Sequence, residues 1–274
     1  MLRRLARRYL PYELRLWVKL RRRQLDDWRN GLRFARSRGS ESDYPYLISS
    51  YHRPLINYAG QEHVLPAKKH NLALLASCLS GTVIRPSETF SIWRLAPRPT
   101  ASLGYAPAAA YRERGLTFEI GGATCLMSTV LYNVGLLGAL EIIERHCHSI
   151  DLYGEDRYFE LGRDASIEYG YLDLRLRNPH GFPVLLTIEV AESFVCGRLF
   201  SPVPHEFAVT LAIDSTRSPA GETDSSMAGS EASIVITGRR LVESSDGSRS
   251  SEELPVSIHY PAREGTATSS GLRL

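Results

Sequence analysis

Three features of the sequence predict an α+β fold, with helices packed on a mostly antiparallel β-sheet and a basic helical arm in front. Helical apolar spacing is confined to the first half and ends in a nearly all-apolar stretch at 125–140. The second half alternates apolar and polar residues between turns rich in Gly, Pro and Asn. The charge is also divided. Residues 1–40 hold 13 Lys/Arg against 3 Asp/Glu, so a chain of net charge +3 is an acidic body behind a strongly basic arm.

The arm spans 1–45. After Pro11, the apolar residues Leu14, Trp17, Val18, Leu25, Trp28 and Leu32 recur at near-helical spacing with arginines between them. Two Trp beside dense Arg predict a helix lying on an anionic membrane surface. The competing expectation is that the stripe docks on the body. Nucleic acid is disfavoured as a partner, because no recognition motif accompanies the charge. The polar stretch 37–46, with Gly39 and Pro45, marks the boundary with an α+β domain at 46–213.

Within that domain a helix is expected at 68–80, with Leu72, Leu75, Ala76 and Leu79 on one face and Gly81 as its stop. Residues 81–115 are predicted to be ordered loops with short strands. After an extended Phe118–Ile120 and the interrupting Gly121-Gly122, Thr124 is placed as N-cap of a buried helix over 125–140. A strand is expected at 141–150, a polar connection at 151–164, and a long strand at 165–177 with a bulge near Gly170. The turn Asn178–Gly181 would join it to a hairpin partner at 184–190, followed by a strand at 193–200. Residues 214–232, rich in Ser, Gly, Asp and Glu, read as a flexible linker. Two short strands, at 233–242 and 255–260, and a frayed tail complete a small β extension over 233–274.

Composition narrows the function classes. With 43 % hydrophobic and 23 % charged residues the chain is neither disordered nor fibrous. No run of about 18 apolar residues is present for a spanning helix. The four cysteines form no CxxC pair, and the basic N-terminus lacks a signal-peptide core. The expected location is therefore cytoplasmic, peripheral to the inner membrane face, with reduced thiols.

The candidate site lies at the start of the 125–140 helix. Cys125 would sit where the helix dipole stabilises a thiolate. A strand doubling back along the helix would return its His146 and His148 to the same end. A period of two aims both rings one way, and Asp164 on the next strand would orient His148. Cysteine, then histidine, then aspartate resembles the architecture of transglutaminase-like and papain-like sites. A packing role for Cys125 is the bland alternative. The His146/His148 pair could instead chelate zinc, but no convincing third and fourth ligands accompany it, so neither a metal nor another cofactor is expected.

Several linked blocks carry a family resemblance. They are Lys69-His-Asn-Leu72, Gly81 through Ser91, Gly121 through Tyr132, Glu144 through Ser149, and Gly162 through Asn178. Together they resemble the VanW family over about 68–200. The resemblance implies a bacterial accessory protein tied to glycopeptide (vancomycin) resistance or cell-envelope biology, with no reaction to carry over. The family's usual Gly-Gly-Gly-x-Cys-Gln appears here as Gly121-Gly122-Ala123-Thr124-Cys125-Leu126, without the Gln that could donate to an oxyanion. Two function classes follow. One is thiol-dependent acyl transfer or amide hydrolysis on a peptide-like envelope substrate. The other is a non-catalytic module recruiting cell-wall or membrane partners. The sequence does not fix the oligomeric state.

Overall fold

The structure, a computed structural model, describes residues 11–55, 64–112, 115–148, 150–151, 159–218 and 233–261. Four described helices and mostly antiparallel strands make it α+β. Helix α1 (Tyr12–Arg29) follows Pro11, with acidic Glu13 in its first turn and Arg29 in its last, both favourable to the helix dipole. The chain then joins the body. Strands β1 (Arg33–Phe34), β2 (Ser37–Arg38) and β3 (Tyr46–Pro54) each pair with a strand from far along the sequence.

Helix α2 (Leu65–Leu79) begins three residues before the expected start and buries Leu72, Leu75, Ala76 and Leu79. Strands β4 (Thr82–Ile84) and β5 (Glu88–Ser91) and the short helix α3 (Ile92–Leu95) follow, then the hairpin β6 (Pro107–Arg112) and β7 (Gly115–Ile120). Helix α4 (Cys125–Leu137) leads into β8 (Glu141–Glu144) and β9 (Ile150–Asp151). The remaining strands are β10 (Arg175–Arg177), β11 (Val184–Val190), β12 (Phe194–Ser201), β13 (Phe207–Ser218), β14 (Ser233–Ser244), β15 (Arg249–Glu253) and β16 (Ser257–Pro261).

The first sheet runs β1-β5-β10-β8 and the second β2-β4-β11-β12-β3. The third runs β13-β14-β16-β9, with β15 also on β14. Only the β1–β5 and β16–β9 pairs are parallel among the described ladders. Helix α4 touches β3 and β12 of the second sheet, β8 of the first and β13 of the third. Surrounded in this way, it buries every residue from Leu126 to Leu136, which is why its sequence is apolar all round rather than amphipathic. Fully buried Leu131 and Leu136 each contribute about 1.5–3 kcal/mol by leaving water.

Four expected elements differ. The strand after α4 ends at Glu144, not at 150. Arg145 turns inward there, and residues beyond it bond to the 164–166 segment instead of a neighbouring strand: the Ser166 N–H donates to His146 O, and the His148 N–H to the Asp164 carboxylate. The long strand at 165–177 is a tight turn, closed by mutual Glu168–Leu172 hydrogen bonds around Gly170 (φ +77°), followed by the three-residue β10. Gly170 is thus a turn tip and not a bulge. Its hydrogen side is needed too, because a Cβ there would lie 2.3 Å from Leu16 Cδ1 of α1. Strand β11 has β12 as hairpin partner, while β10 belongs to the first sheet. The Asn178 amide bridges the crossing by donating to Ile84 O and Phe182 O. Finally, β13 was not expected, although Phe207, Val209, Leu211 and Ile213 alternate within it. Residues 214–218 of the expected linker are paired strand; 219–232 and the tail from 262 lie outside the described residues.

Candidate functional site

The site is built where β7 turns into α4. Gly122 packs so closely on β6 that a Cβ would lie 2.1 Å from Ala108 O. Buried Asn71 of α2 fixes the same turn. Its amide donates to Ala106 O (2.9 Å) and Gly122 O (3.1 Å), and its oxygen accepts the Ala106 N–H (2.9 Å). Ala123 is held at φ +72°, a conformation L residues resist. Thr124 occupies the N-cap position but does not cap with its side chain, as expected of it. The hydroxyl donates to Gly121 O instead (3.1 Å), bracing the turn.

Cys125 is therefore the first residue of α4, at the positive end of the helix dipole. Its partly buried Sγ lies 3.8 Å from Ser166 Oγ and 3.8 Å from Ile167 O. The His148 ring hydrogen-bonds the thiol. The other face of the relay is Asp164, wholly buried: its Oδ2 accepts from His148 Nδ1 (2.7 Å) and from the His148 N–H (2.6 Å). With Nδ1 so engaged, Nε2 is the nitrogen left for sulfur.

Electrostatics favour a thiolate–imidazolium pair. Burial opposes charge on Cys125, but the His148 hydrogen bond and charge outweigh it and lower the thiol pKa. Burial likewise opposes charge on His148, yet the bonds to Asp164 and Cys125 push the ring up to about 10. Asp164 is lowered because His148 and Arg145 overcome its desolvation. Arg145 is as deeply buried as the carboxylate. Its Nη2 donates to Asp164 Oδ1 and its Nε to Asp164 O, both at 2.7 Å, while Nη1 reaches Ser257 Oγ of β16. Phe159 stacks on His148 with centroids 5.3 Å apart. His259 lies 3.8 Å from Asp164 Oδ1 on the far side. The third sheet thus closes the back of the site.

Of the four residues expected from sequence, Cys125, His148 and Asp164 come together. His146 does not join them: its Nε2 lies 3.0 Å from Glu144 Oε1. The pleat that would have aimed both rings one way stops at Glu144. Glu144 belongs to a second ionic cluster under α1. There it meets Arg23 (2.6 Å) and Arg175 (3.2 Å), and although burial raises its pKa, His146 and Arg23 hold it at about 2. Arg145, Phe159 and Ser166 were missed by sequence reasoning. Arg145 had a signal, since it stands inside the Glu144–Ser149 block. Ser166 had the same kind of signal, standing inside the Gly162–Asn178 block, whereas Phe159 had none, because it sits in a segment without regular periodicity. Among the described residues, no three His, Cys, Asp or Glu side chains form a group that could hold a metal ion. No described helix is long and apolar enough to cross a membrane.

Comparison with known proteins follows the same residues. The family model for VanW-like proteins matches residues 67–200. The vancomycin B-type resistance protein VanW of Enterococcus faecalis is 32 % identical over 164 residues, covering 59 % of this chain and 60 % of that protein. The uncharacterized protein YoaR of Bacillus subtilis is 30 % identical over 120 residues, covering 44 % of this chain and 38 % of that protein. The chain thus spans less than two thirds of either relative's length. No solved structure matches.

Proposed function

We propose that this chain, which matches the VanW-like family model over residues 67–200, acts where its VanW relative is named to act, in bacterial vancomycin resistance, as a thiol acyl transferase or amidase on a peptide-like envelope substrate. The observation that carries this reading is the Cys125–His148–Asp164 relay at a helix N-terminus. A packing cysteine needs neither a histidine partner nor a buried carboxylate behind that histidine.

The chemistry follows from the three side chains. The Cys125 thiolate adds to an amide carbonyl and forms a C–S bond. The oxyanion gathers at the positive end of α4, where the Cys125 N–H points out of the helix. Imidazolium His148 gives its proton to the leaving amine as the C–N bond breaks, leaving a thioester. Neutral His148 then takes a proton from water or an acceptor amine, which attacks the thioester and returns the thiolate. Asp164 keeps the ring turned and stabilises its charge throughout.

A second reading, a binding module without catalysis, is favoured by one observation. Leu126 stands where the family carries Gln, and it is buried in the core, so no side-chain donor follows the cysteine. Alkylation by iodoacetamide as a function of pH separates the two. For the enzyme, Cys125 reacts at neutral pH with a midpoint below the ordinary thiol value of about 8.5, and His148→Ala raises that midpoint. Protection of Cys125 across the range, or a midpoint at or above the ordinary value, overturns the enzyme reading.

A further inference from the structure

Helix α1 is mounted the opposite way from most surface helices. The side facing the body is mainly polar. Arg23 pairs with Glu144, Asp27 accepts from Arg175 (2.6 Å) and Arg94 (2.5 Å), and Lys19 sits 3.7 Å over the Tyr171 ring. Leu16 is the one apolar α1 residue fully buried there, against Gly170. The apolar side faces outward. At about 100° per residue, Leu14, Trp17, Arg21, Leu25 and Trp28 fall within about 80° of one another, on the side away from Arg23 and Asp27. Trp17 is 55 % exposed and Trp28 77 %, with Leu14 and Leu25 each at 44 %. The body therefore already holds the helix, and its apolar stripe is left for something else.

We infer that this outward face of α1 docks the protein on an anionic lipid surface, with Trp17 and Trp28 at the headgroup level. Charge selects the occupant. Arg21 lies in the middle of the stripe, Arg22 and Arg29 lie beside it, and all three are exposed. Residues 1–10 add Arg3, Arg4, Arg7 and Arg8. A second copy of the chain seated on the same stripe would set Arg21 against Arg21 across a two-fold axis, and no acidic residue lies in the stripe to relieve it. An anionic headgroup accepts the same arginine. Indole rings suit the boundary, being apolar over most of their surface with one N–H to keep wet.

The test is flotation of the full chain with vesicles of phosphatidylcholine alone or with about a third phosphatidylglycerol. The wild-type protein floats with the anionic vesicles and not the neutral ones, and added salt reduces the bound fraction. Arg21→Glu lowers partition at least fivefold, the effect of losing one basic group near the surface. The Trp17→Ser/Trp28→Ser variant lowers it at least tenfold while its Tm matches the wild type, because both rings are already in solvent. Failure of the wild type to bind anionic vesicles overturns the inference. So does binding that survives the double substitution, which would assign it to the leading arginines alone. A concentration-dependent dimer dissolved by the double substitution would make the stripe a self-interface instead. None of these outcomes bears on Cys125 reactivity.

Discussion

Replacing Arg145 with Met measures how firmly the relay is held from behind. The side chain is 1 % exposed and its partner Asp164 is 0 % exposed. Met fills most of the volume but removes both bonds to Asp164 and the bond to Ser257. Breaking a buried pair by removing one partner costs about 3–5 kcal/mol, because the other charge stays in a low-dielectric surround. Asp164 keeps two bonds from His148, so the low end, about 3 kcal/mol, applies. At about 2–4 °C per kcal/mol for a chain of this size, Tm should fall by roughly 6–12 °C in a calorimetric scan. The thiol should respond as well. Arg145, Asp164, His148 and Cys125 together are neutral as two ion pairs. Without Arg145 the set carries a net negative charge, so the thiolate costs more and the alkylation midpoint rises by about one pH unit, which is about 1.4 kcal/mol. Arg145→Lys keeps the charge but loses the fork, and should fall between. A Met variant that melts within a degree of the wild type with an unmoved midpoint would refute this account of the relay.

Two other outcomes follow from the same region. Raised to about 10 from 6.5, His148 contributes stability that is complete below pH 6.5 and fades as the pH climbs toward 10. The lowered Asp164 contributes above its ordinary 3.8 and loses that contribution in acid. Urea unfolding should accordingly find His148→Ala most costly between about pH 4 and 6.5, with the gap to wild type narrowing by pH 10. Ala123→Gly should stabilise the fold. Leaving a left-handed L residue recovers about 1–2 kcal/mol, and the extra freedom of Gly in the unfolded chain returns about 0.4–1, for a net gain near 0.5–1 kcal/mol and a Tm increase of about 1–4 °C.

The site's main parts were legible because each had a local cause. The apolar run after Cys125 required a buried helix, and two glycines followed by a short polar residue fixed where it begins. Cys125 and His148 could be placed at one end by matching the length of that helix to the chain returning from it. The reasoning reached His148 through a pleat that ends four residues early, and so gave His146 the same direction. What aims His148 is Asp164, a contact between irregular segments, and such contacts leave no periodic trace. The stretch 165–177 reads as one long strand in the sequence because alternation gives no account of buried ionic groups. Asp173, ahead of the short β10, meets Ser91, and Arg175 at the start of β10 meets Asp27. Of the basic arm expected over 1–45, Tyr12–Arg29 forms the amphipathic helix, for whose stripe the sequence offered the body and a membrane surface, while Arg33–Phe34 and Ser37–Arg38 pair into the body's sheets. Pattern alone could not tell that the helix would be bolted down by Arg23 and Asp27, with the stripe outward.

The segment that carries His148 is gripped by both ends of the chain. Upstream, Glu144 pairs with Arg23 of α1; downstream, β9 lies beside β16, and Arg145 reaches Ser257. During synthesis His148 leaves the ribosome about 110 residues before Tyr260 does, and Cys125 earlier still. At about 5–20 residues per second that delay is roughly 5–20 seconds. Until it ends, the histidine segment has its bonds to Asp164 and Ser166 and its upstream anchor, but not the backing of β16. Closure of the back of the relay by the third sheet is therefore a late event of translation, completed only when Ser257 can meet Arg145.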